Sequence, residues 1–113
     1  MSKFAEAIED YKAQVSDLGL GISEELLTAV AKGLGPSIYN ADSSKISSSD
    51  PEELARVKNN FLIGKLGLAD GPALDAAIDE VVQQLGASNR NKYRAVFYAL
   101  LVVKFGKESV YEA

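Results

Sequence analysis

Apolar residues recur along this chain at steps of three and four. Phe4, Ile8, Tyr11, Val15 and Leu18 fall four, three, four and three positions apart, the spacing that aligns side chains on one face of an α-helix. This predicts a first helix over Lys3 to Leu18, capped by Ser2, with Glu6, Glu9, Asp10 and Lys12 on its solvated side. Gly19 stands where a left-handed residue ends a helix, and Leu20 can fold back onto Val15. A second helix begins at Ser23, with Glu24 and Glu25 at the positive end of its dipole and Leu26, Leu27 and Val30 as its inner edge. Gly33 and Gly35 are expected to stop it.

Asp50 before Pro51, with Glu53 three positions on, reads as the cap, first position and capping-box partner of a third helix. Leu54, Val57, Phe61 and Leu62 point inward along it, and Gly67 closes it. Asp70, Gly71 and Pro72 open a fourth helix whose stripe is Leu74, Ala77, Ile78, Val81, Val82 and Leu85, ended by Gly86. The densest apolar stretch, Ser88 to Gly106, predicts a last long helix that is apolar nearly all round and therefore buried. Its run from Ala95 to Val103 is far shorter than the roughly 20 residues a membrane span requires. No segment alternates with period two over the length of a strand, so the expected fold is all-α, a compact bundle of about five helices around that C-terminal helix. The 113 residues suit a single domain.

The segment from Gly33 to Asp50 breaks the helical pattern. Ile38, with the ring of Tyr39, is expected to rest on the core; Pro36 can start a short helical turn, and five serines follow Asp42. Irregular stretches of this length in compact domains are often functional or disordered.

Composition closes off much chemistry. With no cysteine and no histidine, thiolate nucleophiles, zinc ribbons and the commonest general base are excluded. Neither a cofactor nor a metal site is expected: Asn40, Asp42 and Ser44 begin like a calcium loop, but Lys45 and Pro51 occupy the positions that need glycine and glutamate. Twelve Lys and Arg against sixteen Asp and Glu leave a net charge of −4, which disfavours broad affinity for nucleic acid or anionic membrane. The amino terminus shows no secretory pattern, so a cytoplasmic setting is expected.

One placement departs from electrostatic expectation. A helix start carries a partial positive charge and attracts acids, yet the approach to the last helix reads Asn89, Arg90, Asn91, Lys92, Tyr93, Arg94. Arg90, Lys92 and Arg94 are therefore candidate anion-binding residues; the competing explanation is that carboxylates of the first or fourth helix neutralise the cations. Tyr39 and Asn40 of the glycine-flanked loop are separate binding candidates, against the alternative that such residue types serve only to make the turn. Arg56 and Lys58, with Asn59 and Asn60, form a second basic cluster that would build a groove if folding set it beside the first.

The segments KGLGPSIYNAD, ELARVKNNFLIGKLGL and NRNKYRAVFYALLVVKFGKESVY resemble a family of small bacterial proteins known only as a domain of unknown function. The resemblance implies a compact helical fold and a bacterial cytoplasmic setting, and carries no catalytic residue. The function expected from the residues is a non-enzymatic binding or interaction module for a small anion or a protein partner, as a monomer or homodimer. The alternative is a nucleic-acid-associated protein using the local basic patch.

Overall fold

Among the described residues five α-helices form in the expected order: α1 Lys3–Leu18, α2 Glu24–Leu34, α3 Pro51–Arg56, α4 Pro72–Leu85 and α5 Arg94–Lys104. They are seen in a computed structural model, which describes residues 3–39, 45–46, 50–86 and 92–111. Among the described residues there is no strand, only an isolated antiparallel bridge between Lys45 and Tyr93.

The caps explain most of the boundaries. Gly19 ends α1 with φ 63°, and Leu20 N–H returns to the Val15 carbonyl at 3.0 Å, closing a Schellman turn. The second Leu-Gly-Leu turn is one residue wider: Gly67 has φ 71°, and Leu68 N–H reaches six residues back to the Leu62 carbonyl at 3.0 Å. Ser23 Oγ accepts the Leu26 N–H at 3.1 Å, and Asp50 Oδ1 accepts the Glu52 N–H at 3.0 Å. Gly35, at φ 66°, leads from α2 into a 3₁₀ turn over Gly35–Tyr39. Gly33 differs from expectation: it lies inside α2, and a Cβ there would meet the Tyr111 ring at 3.5 Å.

The C-terminal turn, Glu108–Tyr111, packs back onto α2, and Lys65 Nζ lies 5.2 Å from the centre of the Tyr111 ring. Helix α5 is the core, with every residue from Ala95 to Val102 buried against α1, α2 and α4. Buried residues of the other helices, together with Ile38 and Ile46 from the long connection, complete one hydrophobic cluster. Tyr39 does not join it and is 46% exposed. Lys104, on the apolar arc of α5, reaches out to pair with Glu80.

Two elements differ from the sequence pattern. The third helix is α-helical only to Arg56 and continues as a π-helical segment, Val57–Ile63. Gly64 N–H bonds the Asn59 carbonyl at 3.1 Å and Leu66 N–H the Phe61 carbonyl at 2.9 Å, both five residues back. The wider turn places Val57, Phe61, Leu62 and Leu66 on one buried face. The last helix starts at Arg94, not near Ser88: Tyr93 takes the cap position with extended backbone, φ −62° and ψ 133°. The Lys45–Tyr93 bridge and the packing of the Tyr93 ring on Tyr11 hold that residue outside the helix.

Candidate functional site

The polar connection and the approach to α5 were separate candidates in the sequence, and the backbone joins them. Ile46 N–H donates to the Lys92 carbonyl at 2.7 Å, beside the Lys45–Tyr93 bridge. Residues 92 to 94 then face three different surroundings.

Lys92 is the innermost, with only 2% of its surface exposed. Burial disfavours the charged form and pulls its ammonium below the ordinary lysine pKa. Tyr93 turns toward α1, where its ring meets Tyr11 edge to face at 5.2 Å, with Lys45 Nζ 5.8 Å from its centre. Burial pushes the Tyr11 phenol up to about 12, and the hydroxyls of Tyr93 and Tyr39 and the Asp10 carboxylate add to that rise. The Tyr93 phenol is raised for the same reasons, burial first and then Asp10. Tyr39 thus reaches the same corner through Tyr11, while its own ring stays in solvent.

Arg94 turns toward α3. Its Nη2 donates to Glu53 Oε1 at 2.5 Å and its Nη1 to the Tyr98 hydroxyl at 3.0 Å. The second Glu53 oxygen, Oε2, accepts from Arg56 Nη2 at 2.7 Å. The Glu53 and Arg94 side chains are 12% and 15% exposed, whereas Arg56 is 56% exposed. Burial alone would raise the Glu53 carboxyl, but the hydrogen bonds from Arg56 and Arg94 outweigh it and hold the group below the usual glutamate range. Tyr98 in turn stacks on Phe61, with ring centres 4.0 Å apart and 19° between planes.

Of the five candidate residues, Lys92 and Arg94 are near neighbours that face different surroundings and Tyr39 is exposed; Asn40 and Arg90 lie outside the described residues. The expected crowd of cations within the first turns of the helix is reduced, because Lys92 precedes α5 and only Arg94 belongs to it. Glu53 of α3 supplies a counter-charge to Arg94. The two basic clusters do meet, yet they meet around a carboxylate, and Lys58 is shared between Asp70 and Asp75 at 3.0 and 3.1 Å. Glu53, expected as a capping-box partner, gives its two oxygens to Arg56 and Arg94 instead; neither it nor Tyr98 nor Tyr11 was read as a site residue, because Glu53 lies 41 residues from Arg94 and no local pattern reports a contact at that separation.

Clefts elsewhere draw on other residues. One of about 660 Å³ lies between α2 and the C-terminal turn, lined by Glu25, Leu26, Glu108 and Tyr111. Another of about 440 Å³ runs between the α3–π segment and α4. Among the described residues no group of three or more Asp and Glu is placed to hold a metal, and no helix is long and apolar enough to cross a membrane.

Fold and corner together define an all-helical protein whose last long helix is its core and carries a tethered cationic approach. The chain belongs to the family described as "Protein of unknown function (DUF2853)", which it matches over residues 4–109. No curated protein matches it.

Proposed function

We propose that the chain is a non-enzymatic binding module for a small anion, set in the cytoplasm, whose site is the approach to α5. Lys92 and Arg94 supply positive charge, Arg90 lies just upstream, and Tyr39 and Asn40 come from the connection tied to Lys92. The observation that carries this reading is the burial of Lys92, an ammonium 2% exposed at the point where the connection is hydrogen-bonded to the entry of the core helix. An anionic ligand gains most from a charge already shielded from water. Catalysis has little to draw on, because the sequence contains neither histidine nor cysteine.

The nucleic-acid alternative gains no comparable support. Arg56, Lys58, Lys104 and Lys12 each hold a carboxylate, so the surface they share is mixed in sign, whereas phosphate-backbone binding relies on a basic stripe.

Native mass spectrometry of the protein purified gently from its host tests the reading. The expected result is a discrete excess mass that belongs to an anionic small molecule and is lost from Lys92→Met. A bare polypeptide mass, or an adduct retained by Lys92→Met, contradicts it.

A further inference from the structure

We propose that Glu53 is a built-in competitor for this anion site: in the ligand-free chain it occupies Arg94, and a tetrahedral oxyanion displaces it. The inference rests on the reading that Arg94 belongs to an anion site, and it adds Glu53 and Tyr98 to that site with opposite roles.

Three features of the corner lead here. The first is chemical likeness. A carboxylate oxygen 2.5 Å from Arg94 Nη2 presents to the guanidinium what a phosphoryl or sulfate oxygen would present. The Tyr98 hydroxyl, accepting from Arg94 Nη1, keeps its own proton to donate to an incoming oxyanion.

The second is that Glu53 does not depend on Arg94. Its other oxygen is held by Arg56, three residues along the same helix. When Glu53 leaves, the carboxylate and Arg56 leave as a pair, and no uncompensated buried charge is left on α3. Asp50 and Glu52 also act on Arg56, which keeps that guanidinium with α3 and makes it a poor receptor for a second anion. Arg94 and the Tyr98 hydroxyl remain behind on α5.

The third is the character of α3 itself. It spans six residues, none of them fully buried, and only Leu54 rests partly on the core, so tilting it away uncovers little apolar surface. What anchors it is the π-helical segment that follows, through Val57, Phe61 and Leu62. Mid-helix π turns are frequent at functional positions, and this one lies between the movable pair and the fixed core.

Sulfate, a tetrahedral dianion across the working pH range, is the probe. It is titrated into the full-length chain while NMR follows the Arg94 side chain and the backbone amides of residues 92 to 98. Glu53→Gln is expected to bind sulfate about tenfold more tightly than the unaltered chain, the order expected when one charge-assisted hydrogen bond no longer has to be broken. Equal or weaker affinity in a folded Glu53→Gln protein overturns the competition and leaves the anion site standing. Absence of sulfate binding to either protein overturns both. The unaltered chain gives a second readout that does not depend on the variant folding. Saturating sulfate is expected to move the Glu53 carboxyl titration upward, toward ordinary glutamate values; a midpoint that stays in place while sulfate is bound overturns the proposal.

Discussion

Glu53 joins two helices with one carboxylate, and its two oxygens do different work. Oε2 serves Arg56 within α3, while Oε1 ties α3 to Arg94 of α5. Both ends of the second bond are largely shielded from water, so it is worth more than a surface ion pair. Glu53→Gln is expected to cost about 1–3 kcal/mol in urea unfolding at pH 7. The folded carboxyl titrates below its unfolded value. This contribution is therefore present above the ordinary glutamate pKa of about 4.3 and is lost as pH falls through the lower folded value. The unaltered chain should lose stability faster than the variant across that acid window, and parallel curves would count against the pairing.

Lys92 has the opposite sign. Its folded pKa lies below the unfolded one, so the unfolded chain binds the proton more tightly and the residue opposes folding at neutral pH. Lys92→Met is expected to raise the urea midpoint at pH 7, with the gain shrinking as pH approaches about 10. A lowered midpoint at pH 7 would show that the buried ammonium is a net structural asset. Gly33 and Gly35, two residues apart, should also respond in opposite directions. Gly35 combines φ 66° with ψ −150°, a region that essentially only glycine adopts, so alanine there costs about 1–3 kcal/mol. Gly33 is helical, with room for a methyl group against Tyr111, so alanine there should gain up to about 1 kcal/mol. Thermal melts of the two variants shifting in the same direction would contradict the assignment.

At the level of elements, the π-helical segment decides how α3 meets the core. A Cβ on Gly64 would lie 2.7 Å from the Asn60 carbonyl oxygen, closer than packing allows. Gly64→Ala is expected to destabilise by about 1–3 kcal/mol, as overpacking does; an unchanged melting temperature would mean that the segment relaxes freely toward α geometry. The same segment shows where sequence reading stops. Most helix starts and ends were legible because their signals are local: Ser23 and Asp50 bond backbone within three residues of themselves, and Gly19 and Gly67 sit at the turns they create. The inward residues Val57, Phe61 and Leu62 suit α and π spacing about equally well, so the pattern did not separate them. What selects the wider turn involves contacts made elsewhere, such as the stacking of Phe61 on Tyr98, 37 residues on. The start of α5 was missed for a related reason. Tyr93 is held extended by Lys45 and Tyr11, both distant in sequence. Of the site, the cations and the loop were visible as residue types; the carboxylate between the cations was not.

Across the whole molecule, the net charge of −4 is distributed so that many cations already hold carboxylates: Lys12 with Glu9 and Glu24, Lys58 with Asp70 and Asp75, Lys104 with Glu80. Such pairs contribute little individually, but they leave the surface mixed in sign. The corner at α5 stands apart because its cations are shielded from water and rest on the most buried helix. A ligand bound there would be held by the core itself, which gives the site the rigidity that precise recognition needs. The most direct test of that account is a titration of inorganic phosphate into the ¹⁵N-labelled full-length chain, read amide by amide. The account predicts saturable shifts concentrated between Lys92 and Tyr98. Shifts spread evenly over Lys12, Lys58 and Lys104, or none at millimolar phosphate, would contradict it.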